Sequence, residues 1–181
     1  MRIAIVIDEG DVAEIRHINI VGNETFTDEE IREDFEADIK PFWKFWSKEG
    51  QYSREKLSGD IEKLRSYYLD RGYANFEIDS TQVAIAPDRE DIFITVNVKE
   101  GEVFRISDVK IAGNLVVPEA ELLALVQVRR GDVFSQRMLT ATTELMSFRL
   151  GQDGYAFAKI DPVPQLNPET QEIGITFLVD P

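Results

Sequence analysis

The 181-residue sequence contains no cysteine and one histidine, His17. The first absence excludes disulfides and thiol chemistry, and it names no compartment. The second leaves any transition-metal site without its usual imidazole and thiolate ligands. His17 reads instead as a solvent-facing residue of a strand. No unbroken apolar run approaches the roughly 20 residues that a membrane-crossing helix needs. No glycine-rich phosphate loop follows a strand. Positive charge is scarce, with 20 Lys+Arg against 34 Asp+Glu and a net charge of −14, so the chain repels nucleic-acid backbones and anionic lipid surfaces. The acidic stretch Asp88–Asp91 lacks the oxygen spacing and glycine of a calcium loop and reads as a hairpin tip. The carboxylates form no recognisable acid/base pair. No catalytic, cofactor-binding or metal-ligating residue is assigned, and enzyme activity is not expected.

What the sequence does contain is written twice. "DRGYANFEID" (Asp70–Asp79) returns as "QDGYAFAKID" (Gln152–Asp161), 82 positions later. "INIVGN" (Ile18–Asn23) returns as "VKIAGN" (Val109–Asn114) at an offset of 91, as "IDEGDV" (Ile7–Val12) does in "VKEGEV" (Val98–Val103). "YSREKL" (Tyr52–Leu57) matches "FSQRML" (Phe134–Leu139) at 82, and "IFITVNV" (Ile92–Val98) matches "IGITFLV" (Ile173–Val179) at 81. Blocks repeated in order at a near-fixed period mark an internal duplication. The first copy carries nine extra residues, within Glu36–Gln51. The divisions expected are 1–10 as the remnant last strand of a preceding copy, 11–100 as the first domain and 101–181 as the second. On this reading Ile3–Ile7 belongs to a longer array.

Each copy reads by period as strand, helix, helix, strand, strand. Ile15, Ile18 and Ile20 suggest a first strand with a disturbed start. Gly22-Asn23 supplies a turn, and Thr27-Asp28-Glu29-Glu30 is a capping box opening a short helix to about Phe35. Ser53 caps a longer helix, with Leu57, Ile61, Leu64 and Tyr68 on one face. Gly72 ends it in the left-handed conformation, with Arg71 at the negative end of the macrodipole. The chain then runs extended from Tyr73 to about Ile85, turns at Pro87-Asp88 and returns over Ile92–Val98. In the second copy Ser135 is the expected cap, and Leu139, Thr143, Met146 and Leu150 form the inner face. Tyr73 and Tyr155 are expected to cover the ends of their helices. Only Glu100-Gly101-Glu102 separates the copies, so Gly101 is a hinge of limited bending.

This order, with "GN" after the first strand and "GY" after the long helix, resembles the POTRA domain. The resemblance covers nearly the whole chain and implies an α+β fold: two tandem β-α-α-β-β domains, each with two helices packed on a three-stranded mixed sheet. In detail it is to the third and fourth POTRA domains of the core subunit of the outer-membrane β-barrel assembly machine. It implies a periplasmic location, a non-catalytic role, and partners among accessory lipoproteins and unfolded outer-membrane proteins. The POTRA arms of two-partner secretion transporters and of cell-division scaffolds are the alternatives. The second copy departs from the first at Phe157 and Lys159, so contacts do not transfer between them.

In this family's sheet the last strand is central, which leaves the second at an edge, where unpaired N–H and C=O groups invite another chain. The second copy has Pro162 and Pro164 there. The first, "NFEIDSTQVAIA", has none, and its apolar phase slips within Ser80–Gln82 as at a β-bulge. Asp79, Ser80, Thr81, Gln82, Val83 and Ile85 are therefore the candidate partner-binding residues, by β-augmentation, unless a neighbouring loop covers the edge. Phe42, Trp43 and Trp46, within the nine-residue excess, form either an aromatic anchor for a partner or a staple folded onto the core.

Overall fold

The computed structural model describes residues 14–31, 54–87 and 91–181. The remnant strand Ile3–Ile7, the cap Ser53, the aromatic cluster and the tip Asp88–Glu90 lie outside them. The chain divides into two compact units: the described parts of Met1–Lys63 with Ile78–Lys99, and Leu64–Glu77 with Glu100–Pro181.

The first sheet consists of β1 (Glu14–Val21), β2 (Glu77–Ile85) and β3 (Asp91–Lys99), in the order β1-β3-β2. The second consists of β4 (Arg105–Gly113), β5 (Lys159–Asn167) and β6 (Glu172–Asp180), in the order β4-β6-β5. In each, the last strand is central and pairs in parallel with the first. Between β1 and β2 the chain forms a helical turn at 28–31 and α1 (Arg54–Leu69). Between β4 and β5 it forms α2 (Glu119–Leu123) and α3 (Gln136–Gln152).

The disturbed start of β1 is a bulge. Ile15 pairs with Ile92 and His17 with Phe93, leaving Arg16 extra; after the slip Ile18 and Ile20 stand opposite Ile94 and Val96. In β4 the extra residue is Ser107, between pairs Ile106–Ile173 and Asp108–Gly174. Arg16 and Ser107 are 91 positions apart, so the irregularity was duplicated with the sequence.

Packing follows the period. Along β6, Ile173, Ile175, Phe177 and Val179 are buried and alternate with more exposed residues. They share a core with Phe104, Ile106, Leu122, Leu139, Met146 and Leu150, each large side chain contributing about 1.5–3 kcal/mol. The inner face of α3 uses Thr142, not Thr143 as the pattern suggested. Steps of three and four both return to the same helix face, and polar bonding decides between them. Thr142 Oγ1 donates to the Met138 carbonyl at 2.8 Å and accepts the Gln127 N–H at 3.0 Å, so burial leaves it satisfied.

The capping box forms as read. Glu30 N–H donates to Thr27 Oγ1 at 3.2 Å, and Glu30 Oε2 accepts the Thr27 N–H at 2.8 Å and the Thr27 hydroxyl at 2.9 Å. At the head of α3 the expectation fails, because Ser135 occupies the N-cap position without making a side-chain cap bond. Asp70 replaces it from 65 positions away: its Oδ1 accepts the Arg137 N–H at 2.7 Å and the Ser135 hydroxyl at 3.3 Å. Its Oδ2 lies 3.2 Å from Arg137 Nε. A carboxylate at a helix N-terminus also meets the positive end of the macrodipole, which a hydroxyl does not exploit as well.

Two boundaries move. The second strand begins at Glu77 rather than Tyr73, because Tyr73 N–H returns to the Tyr68 carbonyl (3.1 Å) and Phe76 N–H to that of Tyr73 (3.0 Å), making a corner. The next copy's strand begins at Arg105 rather than near Val103, so five residues, not three, separate β3 from β4.

Asp70→Ala is expected to destabilise the second unit by about 1 kcal/mol, as other lost caps do, whereas Ser135→Ala stays near zero; urea denaturation measures both. The Thr27 backbone and hydroxyl bonds hold the Glu30 carboxyl below its usual range. That contribution is complete above the unfolded Glu pKa of about 4.3 and is lost as pH falls through the lower folded value. Acid titration of Glu30→Gln is expected to show a smaller fall in stability across that window than wild type.

Candidate functional site

The β2 edge is the candidate site, and three observations define it. Among the described residues, no strand pairs on its outer side. Asp79, Ser80, Gln82, Val83 and Ile85 are exposed, Val83 at 55% and Ile85 at 61%, while Thr81 is half-buried. The half-buried positions, Ile78 and Thr81, stand three apart instead of two.

That spacing means the side-chain phase slips. Asp79 Oδ1 accepts from Lys99 Nζ at 2.7 Å, and Ser80 Oγ accepts from Asn97 Nδ2 at 2.9 Å. Lys99 and Asn97 are two apart on β3 and share a face, so consecutive β2 residues reach the same side of the sheet. A bulge at Asp79-Ser80 produces this geometry. Val83 and Ile85 share the phase of Thr81, beyond the bulge. The Asp79–Lys99 pair is solvent-exposed and contributes at most about 1 kcal/mol.

The second unit's matching edge is different. β5 keeps an unbroken antiparallel register with β6 from Lys159–Asp180 to Asn167–Glu172, through Pro162–Phe177 and Pro164–Ile175. A proline cannot donate to the ladder, so both ring nitrogens face away from β6. The outer rim therefore lacks two donors that β2 retains.

Gly101 takes a left-handed φ of +74°, and a Cβ there would collide with the Asn75 amide. Asn75 Oδ1 also accepts the Glu102 N–H at 3.1 Å, fixing the segment next to Gly101. The corner at Gly72 is similarly enclosed, by Val133 Cγ1 at 2.7 Å and Val103 Cγ1 at 2.8 Å from a Cβ position. Tyr73 is buried there, edge-on to Tyr68 at 5.5 Å, and Tyr68 stacks on Phe76 at 4.2 Å. Arg71 donates to the Tyr67 carbonyl at 3.1 Å, as expected at a helix C-terminus. Tyr155, expected to behave like Tyr73, is 38% exposed, and nothing lies within 4 Å of the Cβ position at Gly154.

Sequence reasoning missed the buried pair Tyr68–Glu100, in which the phenol donates to Glu100 Oε1 at 2.8 Å. Burial, then this bond, pushes the Tyr68 pKa upward. The available signal was a tyrosine on the apolar face where the second copy has Leu150. His17 lies in β1, and among the described residues no cluster of His, Asp and Glu is arranged to hold a metal ion. No described helix is long and apolar enough to cross a membrane.

Residues 13–101 and 104–181 each match the family described as POTRA, surface antigen variable number repeat. The chain belongs to the POTRA family. It is 30% identical over 180 residues to the outer membrane protein assembly factor BamA of Neisseria meningitidis serogroup B, covering 99% of this chain and 23% of that protein. It is 28% identical to BamA of Buchnera aphidicola, covering 98% of this chain and 29% of that one. The chain thus spans about a quarter of these relatives. The crystal structure of Haemophilus influenzae BamA POTRA3-5 superposes with a TM-score of 0.75 at 26% identity, over 94% of this chain and 66% of that one. The expected α+β architecture, two POTRA repeats with three-stranded mixed sheets, is what the chain adopts.

Gly101→Ala is expected to lower stability by at least about 1 kcal/mol from φ strain alone. Adding Asn75→Ala should remove the collision but not the strain, so thermal denaturation of the double variant is expected to show only partial recovery.

Proposed function

We propose that this chain is part of the periplasmic POTRA arm of an outer-membrane protein assembly factor. It serves as a non-catalytic scaffold, and the β2 edge of its first unit accepts an extended segment by β-augmentation. The carrying observation is the contrast between the two edges: β2 retains its donors from Asp79 to Ile85, while β5 has lost two to Pro162 and Pro164. Relatives named as outer membrane protein assembly factors support the setting. Accessory lipoproteins of the machine are the lasting partners, one of the BamB type at the first unit, and unfolded outer-membrane proteins are the passing ones. The arms of two-partner secretion transporters and cell-division scaffolds share the fold and remain the alternative setting.

Magnitudes divide the two kinds of partner. About five main-chain hydrogen bonds at roughly 0.5–1.5 kcal/mol each contribute about 3–8 kcal/mol, against about 4–15 kcal/mol for lost translation and rotation. Pairing alone suits transient handling of a client. A lasting partner needs side-chain anchors, which Val83 and Ile85 offer on the rim and which Phe42, Trp43 and Trp46 are proposed to extend. Gly101, held by Asn75, is proposed as a joint of restricted bending.

The copy offset falls from 82 to 81 between Ile78 and Ile92. With the extra residue placed in the bulge, Val83 aligns with Pro164. Val83→Pro therefore copies a residue that the sister edge tolerates. Pull-down from periplasm is expected to lose the lipoprotein with this variant while its circular dichroism and melting stay as wild type. Retained capture by a folded variant would remove the proposal.

A further inference from the structure

The second unit engages nearly every cation it carries. Lys110 lies 2.7 Å from Asp108, Arg137 3.2 Å from Asp70 and Lys159 3.0 Å from Asp161. Arg149 bridges Glu121 at 2.6 Å and Asp153 at 2.7 Å, and Arg105 donates to the Gly131 carbonyl at 3.0 Å. Arg129 and Arg130 differ. Both are exposed, and neither guanidinium makes an ion pair or a hydrogen bond among the described residues. With 34 Asp+Glu against 20 Lys+Arg, two adjacent arginines left without a carboxylate run against the composition.

The turn that carries them is fastened on both sides. The Asp132 N–H donates to the Arg129 carbonyl at 3.0 Å, with Gly131 at φ +89°, as a type II turn requires at its third position. The Gly131 N–H reaches the Ile106 carbonyl at 2.8 Å, and the Ile106 N–H reaches the Asp132 carbonyl at 2.9 Å. The turn is thereby hydrogen-bonded along β4, and Arg130 stands at its second position.

Arg130 and Gly131 border a depression of about 210 Å³, with Arg105, Thr170, Gln171 and Glu172. Small-molecule pockets run to about 300–1,000 Å³, so this one suits a single side chain. Gln171 has φ +55° and is the one non-glycine at positive φ among the described residues. Its carbonyl accepts the Arg105 N–H at 3.0 Å, which ties the β5–β6 hairpin tip to Arg105.

We propose that Arg130, with Arg105 beside it, seats an aspartate or glutamate side chain from an acidic segment of a partner protein. Arg129 adds attraction from the same turn. A guanidinium matches a carboxylate through two parallel hydrogen bonds, and Arg105 keeps donors beyond the one spent on Gly131. The nearest acids are already engaged: Lys110 holds Asp108, and Asp132 Oδ2 accepts the Arg129 N–H at 2.8 Å. Glu172 shares the lining, and the chain's −14 charge repels dense polyanions such as phosphate backbones or anionic bilayers. Spaced carboxylates on a polypeptide meet less of that repulsion. The contact lies in the second unit and stands without the β2 edge.

Amide and arginine side-chain N–H spectra of the 181-residue chain test it. The probe is an acetylated, amidated peptide of alternating serine and glutamate, with its serine–glutamine counterpart as control. The acidic peptide is expected to move the signals of Arg130, Gly131 and Thr170 to saturation, less strongly as salt is added, while the control moves none. Arg130→Gln, at an exposed position whose side chain bonds nothing, is expected to keep the wild-type melting temperature and weaken binding severalfold. Absent saturation, equal shifts with the control, or undiminished binding by Arg130→Gln overturns the proposal. So does saturation by inorganic phosphate or phosphatidylglycerol vesicles where the peptide gives none.

Discussion

The parallel pairing of each unit's first strand with its last is the constraint on which the rest depends. Parallel neighbours need a crossover, and here two helical segments supply it, as parallel connections require. Once the last strand is central, its hairpin partner has no place but the rim. The edge of β2 and the proline-bearing edge of β5 are thus the same topological position in the two sheets. Duplication reproduced the ladder down to the bulge at Arg16 and Ser107, then left the rims to diverge.

The corners after the long helices diverged in the same way. Glycine carries each through a left-handed turn that closes a bond to the helix, and the backbone result is nearly identical in both copies. The neighbours are not. Around Gly72, within the second unit, stand a helix N-terminus that Asp70 caps, an N–H partner for the glycine carbonyl and two valine methyls; Gly154 receives none of these. Local backbone chemistry was duplicated, while the side chains around each corner were not.

This difference separates the features legible in the sequence from those that were not. The Thr27–Glu30 box, the stops at Gly72 and Gly154 and the prolines of β5 act within a few residues, so their reading needed no tertiary knowledge. A local rule names Ser135, the nearest hydroxyl, whereas the capping carboxylate of Asp70 comes from another element. Helix periodicity points to Thr143 but leaves a one-residue ambiguity, which the Gln127 N–H resolves toward Thr142. Tyr155 follows the same motif as Tyr73, yet equal sequence does not guarantee equal cover. At the candidate edge, the phase slip was visible as alternation out of step, while its position at Asp79-Ser80 required the contacts to Lys99 and Asn97.

The bulge in β2 has a consequence for any guest. It breaks the rim into two short flights, so a strand laid alongside would stay in step only over Thr81–Ile85, about 17 Å at roughly 3.4 Å per residue. On the proposed reading, a rim of that size would gauge how long a stretch of extended backbone arrives, and read little of its spelling. Polypeptides with many interchangeable β-stretches would meet it again and again, each engagement brief enough to be surrendered to the next.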